Sequence, residues 1–293
     1  MTPLASILIN NYNHERYIHE CVESALTQTY PNAEVIVYDD GSSDSSKEIL
    51  SNFGKRITLL SSPENHGKTS NFNQMNAINR SFETSKGEYI FLLDGDDLFE
   101  KNKVELLVNI FMERPNCCMI QHNLAEIDSN GTQTNKIQPD KYCIRPLQYG
   151  MSYRDYILTY HNQMIFTATS GLSFRREFLN KILPLKEDNF NMIWPDVRLT
   201  RNAIFHGEVF HLDEILGYYR NHNASWRNTE RVEQEVVKQM YEYFNSLPQM
   251  KEKEKISYIK YKIKKWTSWF YFKRRLDIIL ESLLPKRQTI HTP

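Results

Sequence analysis

Four short apolar runs alternate with helix-like segments in the first 100 residues, and this alternation limits the folds that the chain can adopt. The runs cover residues 4–9, 34–38, 57–60 and 89–93, and their length is typical of buried strands. The segments between them space apolar side chains three and four residues apart, which predicts amphipathic helices. Strands and helices in this order predict an α/β fold with a mostly parallel sheet flanked by helices.

Polar residues follow three of these predicted strands, at positions 10–13, 39–44 and 94–97. In open α/β sheets, ligands bind beyond the carboxyl ends of the strands. We therefore expect the three polar segments to meet in one crevice.

The strand–helix rhythm stops after about Pro139. Residues 166–174 then predict a loop and a strand, and residues 196–206 predict a helix. From Thr229 onward the pattern is mostly that of amphipathic helix, with a break at residues 247–248. The second half of the chain therefore predicts a mixed part followed by a helical extension.

The composition argues against several classes of protein. The 36 basic and 36 acidic side chains give a formal net charge of zero, which argues against a nucleic-acid partner. The four cysteines have no C-x-x-C spacing, which favours free thiols in a reducing compartment over disulfides or a zinc site. The N-terminal residues lack the pattern of a signal peptide, and no apolar run is long enough to span a membrane. We expect a cytoplasmic protein, either soluble or peripheral at the inner face of the cell membrane.

Asp94, Asp96 and Asp97 place three carboxylates within four residues at the end of a predicted strand. Like charges at such close range disfavour one another unless a cation neutralises them. Mg²⁺ and Mn²⁺ prefer carboxylate oxygens and often bridge to the phosphates of a substrate. The same residue types are common in solvated turns, so the pattern leaves both a turn and a metal site open.

Asp39 and Asp40 follow a second predicted strand and precede a Gly-Ser-Ser sequence. Their carboxylates could accept hydrogen bonds from a base N–H or from ribose hydroxyls. A turn that ends in a helix N-cap explains the same residues.

Four segments in a fixed order carry a more specific signal: they are Ser6–Asn13, Val35–Asp44, Asn65–Gly67 and Gly87–Asp97. Together they resemble the family 2 glycosyltransferases of GT-A fold, most densely over residues 4–100 and more loosely to about residue 225. The resemblance implies a nucleotide-binding, mostly parallel sheet flanked by helices, with an acceptor-binding part attached.

The resemblance also implies how the chain divides. A GT-A glycosyltransferase domain is expected over residues 1–225, and a helical C-terminal extension over residues 226–293. Within that domain, residues 1–110 are expected to bind the nucleotide sugar and residues 111–225 to bind the acceptor.

A donor site and a metal site follow from the resemblance. The residues expected to bind the nucleotide sugar are Asn10, Tyr12, Asn13, Asp39, Asp40, Lys68, Asp94, Asp96 and Arg220. The residues expected to hold Mn²⁺ or Mg²⁺ are Asp96, Asp97 and His222. The metal would act as a Lewis acid that stabilises the leaving nucleoside diphosphate.

The chain departs from the family pattern at three places. Asn10-Asn11 stands where many members have Pro-Thr. The sequence Asn71-Phe72-Asn73 replaces an Arg-Asn pair, so Lys68 is expected to supply the missing positive charge. Trp194-Pro195 replaces the acid that often precedes the catalytic base.

Asp196 stands where the resemblance implies the catalytic base, which takes a proton from the acceptor hydroxyl in a single, inverting displacement. Its position before a run of helical spacing equally predicts a helix N-cap. The acceptor-side residues that the resemblance implies are Ser170, Gly171 and Trp194. The small residues among them are also typical of a simple turn.

The implied activity is the transfer of a sugar from a UDP-sugar to a glycan or lipid-linked glycan, for a cell-surface polysaccharide such as O-antigen or capsule. Two alternatives stay open: a non-catalytic module that binds nucleotide sugars, and a sugar nucleotidyltransferase. The Gly-rich, Arg-containing loop of the second class is absent after the first predicted strand, where Asn10–Asn13 stands.

The segment Tyr258–Arg275 interleaves Lys and Arg with aromatic residues. Basic faces with Trp and Phe are typical of helices that lie in a membrane interface. One interpretation is therefore membrane contact through residues 256–285, and the other is a helix that packs on the domain. The basic stretch is too short to indicate nucleic-acid binding.

Overall fold

The structure is a computed structural model that describes residues 2–65, 69–139, 150–190, 192–222 and 230–267. Lys68 and residues 268–285 of the expected membrane segment lie outside the described residues.

The strands of the described chain are β1 (Ala5–Asn11), β2 (Ala33–Asp39), β3 (Thr58–Ser61), β4 (Tyr89–Asp94), β5 (Leu98–Phe99), β6 (Cys117–Ile127), β7 (Gln133–Gln138), β8 (Leu172–Arg175) and β9 (Glu208–Arg220). The helices are α1 (Ile18–Leu26), α2 (Ser46–Ser51), α3 (Ser70–Thr84), α4 (Lys103–Glu113), α5 (Tyr153–Tyr160), α6 (Arg176–Ile182), α7 (Pro195–Ala203), α8 (Glu230–Ser246) and α9 (Tyr258–Thr267). Short 3₁₀ turns are formed by Gly54–Arg56, Thr169–Gly171 and Glu252–Glu254.

All of these strands belong to one sheet, in the order β3-β2-β1-β4-β8-β6-β9-β5, with β7 paired to β6. The first four strands along the chain are parallel to one another. β8 runs antiparallel to both β4 and β6, and β6 pairs in parallel with β9. Because β8 lies between β4 and β6, the sheet continues without a break from the N-terminal strands into the later ones.

Strand β1 shows how the two faces of the sheet are covered. Ile7 and Ile9 pack into an apolar cluster with side chains of α1 and α4. Leu8, between them, packs into a second cluster with side chains of α3, α6 and α7. Alternate residues of a strand point to opposite faces, so an unbroken apolar run indicates a sheet buried between two helical layers.

Helices α5, α8 and α9 form a third apolar cluster, here called the helical cluster, in which Tyr156, Phe244 and Tyr261 are buried. α9 contributes the buried ring of Tyr261 to this cluster, whereas its Ile259 and Ile263 side chains are 70% and 57% exposed. The packed and the exposed faces of α9 are therefore both apolar in part.

The predicted alternation of strands and helices is confirmed through β4, with boundaries that differ by only a few residues. The helix predicted at 196–206 is α7, and the break predicted at 247–248 is the end of α8. Strands β6, β7 and β9 were not indicated by the sequence pattern.

Among the described residues, no helix combines the length and the apolar character that crossing a bilayer would require.

Candidate active site

The polar segments after β1, β2 and β4 meet at one edge of the sheet, as the alternation predicts. In the parallel register, Asn10 lies beside Asp94 and Asn11 lies beside Asp39. The Asn10 side-chain amide donates to Asp94 Oδ1 at 2.8 Å, and the Asn11 amide donates to Asp39 Oδ2 at 2.7 Å. Adjacent asparagines of one strand thus hold one acid each on the two neighbouring strands.

Asp94 is the first carboxylate of the loop 94–97, here called the acidic loop. Its Oδ1 accepts from Asn10 and from Gln74 of α3, each at 2.8 Å. Burial, and then the charge of Asp96, raise the pKa of Asp94 to about 7 in spite of these hydrogen bonds. The charge of Asp196 also contributes to this rise, so Asp196 lies within electrostatic reach of Asp94.

Asp97 turns into the protein and does not face the crevice. Its Oδ2 accepts from Ser170 Oγ at 2.6 Å, and its Oδ1 accepts from the Arg220 backbone N–H at 2.8 Å. Burial raises the pKa of Asp97 well above its ordinary value, and Asp96 and Asp94 raise it further. Asp97, expected to hold a metal, is therefore placed where it fixes the acidic loop to the neighbouring elements.

Arg220 closes the other side of the acidic loop. Its Nε donates to the Asp96 carbonyl at 2.8 Å, and its Nη2 pairs with Glu20 of α1 at 3.0 Å. The guanidinium also lies over the ring of Tyr17, 4.6 Å from the ring centroid. The side chain is buried and its donors point to these partners, so it braces the loop and adds positive charge beside it.

Asp96 faces two histidines. Asp96 Oδ2 lies 2.9 Å from His222 Nε2, and the candidate ligand atoms of His14, Asp96 and His222 all lie within 4.8 Å of one another. Burial raises the pKa of Asp96, but the hydrogen bond from His222 and the charge of His14 more than offset this effect, so the pKa stays below its ordinary value. A carboxylate kept ionised beside two imidazoles has the donor chemistry to hold a divalent cation, so these residues fit the expected metal.

The segment after β2 forms a second corner of the crevice. Asp39 is fully buried, and its carboxylate accepts from Asn11 and from the Ser42 backbone N–H and hydroxyl. Asp40 Oδ2 accepts from the Asn65 side-chain amide at 2.9 Å. Asp39 thus shapes the turn, as the turn interpretation anticipated, while Asp40 lies one residue further along the same edge.

Tyr12 and Asn13 lie in the loop after β1, which contacts this corner. Tyr12 is 42% exposed, and Asn13 adopts a left-handed backbone conformation with φ of 56°. Asn13 Oδ1 accepts from the Ser43 backbone N–H at 2.8 Å, which ties the loop after β1 to the loop after β2.

Asp196 is the second residue of α7 and follows Pro195, so it lies in the first turn and the N-cap position belongs to Trp194. Its Oδ1 accepts from the Val197 backbone N–H at 2.7 Å. Burial raises its pKa, although this hydrogen bond and the charge of Arg201 act in the opposite direction. A carboxylate with a raised pKa is a stronger proton acceptor.

A cavity opens between the start of α3 and the start of α7. Its lining includes Asn71, Phe72, Glu187, Asp188, Pro195 and Arg198. Arg198 donates to both oxygens of Asp188 at 2.7 Å each, which fixes the wall formed by residues 187–190.

Ser170 and Gly171 lie in the 3₁₀ turn behind the acidic loop. Both are fully buried, and Ser170 Oγ accepts from the Asp94 backbone N–H at 3.0 Å while it donates to Asp97. This placement favours a role in supporting the loop. Trp194, in contrast, directly precedes Pro195, which lines the cavity.

Three residues of the site were missed by sequence reasoning: His14, Gln74 and Lys103. Lys103 is fully buried, and its ammonium donates to the Ser170 carbonyl at 2.7 Å. Gln74 is a polar residue on the buried face of α3. A polar residue at an otherwise apolar helical position was the only feature of the sequence that could have indicated it. His14 is the residue directly after the Ser6–Asn13 motif, which gave no reason to select it.

The comparisons with known proteins identify the family of the chain. Glycosyl transferase family 2 matches residues 6–183 of the chain. An uncharacterized glycosyltransferase of Nostoc sp. is 30% identical over 227 residues, which are 75% of this chain and 65% of that protein. This chain therefore spans less than two thirds of the length of that relative.

Solved structures of low sequence identity share the fold. Staphylococcus aureus TarS in complex with UDP-GlcNAc superposes with a TM-score of 0.58 at 16% identity, over 94% of this chain and 73% of that chain. A mannosyltransferase from Pyrobaculum calidifontis, in complex with GDP-Man and Mn²⁺, gives a TM-score of 0.58 at 13% identity, over 97% of this chain and 76% of that chain. With more than half of its length matched by the family and a GT-A architecture throughout, the chain belongs to the family 2 glycosyltransferases.

Proposed function

We propose that this chain transfers a sugar from a nucleotide-sugar donor to a hydroxyl of a glycan or lipid-linked glycan, with inversion at the anomeric carbon. The observation that carries the proposal is the meeting of the polar segments after β1, β2 and β4 at one edge of the sheet, with the charge of Asp196 within electrostatic reach of Asp94. Family membership supplies the reaction class, and the crevice supplies groups for each of its steps.

The donor nucleoside is assigned to the corner formed by Tyr12, Asn13 and Asp40. The exposed ring of Tyr12 suits a base, and the buried carboxylate of Asp40 would accept from the N–H groups of that base. TarS and the Pyrobaculum mannosyltransferase bind UDP-GlcNAc and GDP-Man respectively, which supports a nucleotide sugar. We propose a UDP-sugar as the donor, with Asn10, Asp94 and Arg220 near its diphosphate; Lys68, expected to add positive charge there, lies outside the described residues.

A divalent cation, Mn²⁺ or Mg²⁺, is assigned to Asp96 and His222. When bound, such a cation supplies Lewis-acid stabilisation of the charge on the leaving diphosphate. Asp97 supports this site from behind through Ser170 and Arg220.

Asp196 is proposed as the general base. Its carboxylate takes the proton of the acceptor hydroxyl, whose oxygen forms a bond to the anomeric carbon. The bond from that carbon to the diphosphate oxygen breaks on the opposite face, and the nucleoside diphosphate leaves. General bases of this kind contribute roughly 10²–10⁴-fold to the rate.

The acceptor is assigned to the cavity between α3 and α7, beside Asp196. Phe72 and Pro195 present apolar faces suited to a sugar ring, while Asn71, Glu187 and Asp188 offer polar atoms to its hydroxyls. Trp194 extends this surface at the rim. We propose a cell-surface polysaccharide, such as O-antigen or capsule, as the product, with residues 1–110 serving the donor and residues 111–225 the acceptor.

The exposed side of α9 is proposed to contact the inner face of the cell membrane, where a lipid-linked acceptor would lie. Ile259 and Ile263 are one helical turn apart and exposed, and Lys260 and Lys262 lie beside them. Apolar side chains flanked by cations are typical of helices that bind an anionic membrane surface.

Calorimetric titration with UDP, with and without Mn²⁺, tests the proposal. We expect binding that requires Mn²⁺ and that is lost in Asp96→Asn. Asp155→Asn, on the exposed first turn of α5, is the matched control and should bind as the unmodified protein does. UDP binding that is the same with and without Mn²⁺, and that is unchanged in Asp96→Asn, would contradict the assigned site.

Turnover then separates a transferase from a binding module. A transferase releases UDP from a UDP-sugar when an acceptor is present, or slowly to water. A chain that binds UDP with Mn²⁺ and cleaves no UDP-sugar would be a binding module.

A further inference from the structure

His14 occupies a fixed position beside the acidic loop, although it lies outside the motifs of the sequence. The left-handed conformation of Asn13 turns the chain directly after β1. The His14 backbone N–H then donates to Ser46 Oγ at 3.1 Å, and its carbonyl accepts from Tyr17 and Ile18 at 2.8 Å each. The start of α1 and the start of α2 therefore both hold this residue in place.

The ring of His14 lies against Gly95, the middle residue of Asp94-Gly95-Asp96. A Cβ atom added to Gly95 would meet His14 Cδ2 at 3.3 Å and the Asn10 carbonyl at 2.9 Å. The absence of a side chain at position 95 is what lets the imidazole approach the loop. The ring stands edge-on to that of His222, with centroids 6.3 Å apart and an interplanar angle of 78°.

The geometry points to His14 as a third protein ligand of the cation, together with Asp96 and His222, and to a cation preference for Mn²⁺ or Co²⁺ over Mg²⁺. This inference rests on the proposed function, because it deepens the metal site assigned there. Two imidazole nitrogens and one carboxylate oxygen are a softer donor set than carboxylates alone. Mg²⁺ favours oxygen ligands, whereas imidazole binds the later divalent metals more strongly.

The distances allow this arrangement with a small adjustment. The three candidate ligand atoms lie within 4.8 Å of one another, and the His222–Asp96 pair is already at 2.9 Å. Two atoms bound at about 2.1 Å to one ion lie at most about 4.2 Å apart, so a pair at the 4.8 Å limit would have to close by roughly 0.6 Å or more. The three ligands come from three separate elements: the loop after β1, the acidic loop and the segment after β9.

Titration of the nucleotide-free protein with Co²⁺, followed by visible absorption, tests the inference without measuring activity. His14→Phe keeps a ring against Gly95 and removes both ligand nitrogens. We expect it to weaken Co²⁺ binding at least about tenfold, as loss of a metal contact does. His19→Phe, an exposed histidine on α1, is the control and should bind Co²⁺ as the unmodified protein does.

His14→Cys adds a readout that a misfolded variant cannot imitate. A thiolate at position 14 that reaches Co²⁺ produces a sulfur-to-metal charge-transfer band in the near ultraviolet, and His19→Cys should produce none. Unchanged Co²⁺ binding by His14→Phe, or no such band from His14→Cys, would overturn the inference.

The inference and the proposed function fail in different ways. If Asp96→Asn loses Co²⁺ while His14→Phe keeps it, His14 is not a ligand and the proposed function stands. If the unmodified protein binds Co²⁺ through His14 but never binds UDP, the ligand set is right and the donor assignment is wrong. Mn²⁺ and Mg²⁺ compared in the UDP titration test the preference, and a His14→Phe variant with the same preference as the unmodified protein would contradict it.

Discussion

Ser170 holds two points of the acidic loop with one hydroxyl group. Its Oγ donates to Asp97 and accepts from the backbone N–H of Asp94. The Lys103 ammonium binds the carbonyl of the same residue from below. The geometry of the loop is therefore set by a turn that lies more than 70 residues further along the chain.

Ser170→Ala should both destabilise the protein and weaken the site. Removing one partner of a buried hydrogen bond costs about 1–3 kcal/mol, which urea unfolding can measure. Ser173→Ala is the matched control, because Ser173 is also fully buried and donates to a backbone carbonyl, that of Ile120. We expect similar losses of stability in both variants, but weaker Mn²⁺-dependent UDP binding only in Ser170→Ala. Equal UDP affinities would show that the hydroxyl contributes only to folding.

Asp196→Asn should lower kcat by roughly 10²–10⁴-fold while leaving UDP binding unchanged. The base must be ionised to accept a proton, so activity falls as the pH falls through the pKa of Asp196. Burial raises that pKa above 3.8, so the decline should begin at a higher pH than for an ordinary aspartate. The check is the dependence of kcat/KM on pH in the two proteins, and a variant that keeps both the rate and the acidic decline would exclude Asp196 as the base.

The three acids of the acidic loop show how much of the candidate site can be predicted from residue types alone. Their position at a strand end predicted that they meet other polar segments at one edge of the sheet, and the structure confirms this. The direction in which each acid points depends on distant partners, because Asp97 bonds to residues 73 and 123 positions away. No spacing within the motif encodes those partners, so the sequence alone did not show that Asp97 bonds to Ser170 and Arg220, or that His14 lies near Asp96.

At the scale of elements, the sequence predicted the strands that consist of apolar runs. It did not predict buried strands that contain polar residues. β6 is buried along its whole length, yet it contains Gln121, His122, Asn123 and Glu126. Tertiary partners satisfy several of these groups; Gln121, for example, donates to the Tyr153 hydroxyl and to the Ile165 carbonyl. A strand whose polar residues are satisfied from elsewhere in the fold lacks the alternation that predicts strands.

The replacement of both Ile259 and Ile263 by Ser should weaken binding to vesicles that contain anionic lipid. Each isoleucine contributes about 1.5–3 kcal/mol when its side chain leaves water, so binding should fall at least about tenfold. Ile137→Ser on β7 is the control, because Ile137 is also exposed, at 46%, and lies on another element. Co-sedimentation measures the effect, and equal pelleting of all three proteins would mean that α9 only packs on the helical cluster.

At the scale of the whole molecule, the sheet joins the proposed donor corner to the rest of the domain. β4 carries the acidic loop and pairs with β1 on one side and β8 on the other. The two functional halves that the sequence suggested therefore share one set of backbone hydrogen bonds. Alternation in the first 100 residues predicted the parallel part of this sheet, but the antiparallel insertion of β8 depends on long-range pairing.

We therefore expect UDP with Mn²⁺ to raise the thermal unfolding midpoint of both halves of the domain by the same amount. All four tryptophans lie at or after residue 194, whereas the proposed nucleotide corner precedes residue 100. Ligand at about 100 times its Kd adds about 2.7 kcal/mol to the free energy of unfolding, which corresponds to roughly 5 °C or more. Tryptophan fluorescence and far-UV circular dichroism should report the same shift, and a shift seen by circular dichroism alone would mean that the halves unfold separately.

Gly95 has a consequence for how tolerant the acidic motif can be. The middle position of Asp-x-Asp is written as a wildcard, which suggests that any residue is permitted there. In this chain the position is closed, because the Asn10 carbonyl and the Asn11 and His14 side chains already fill the space that a Cβ would need. The wildcard thus describes many proteins taken together. In each single protein, the residues that surround the middle position determine which side chains fit there.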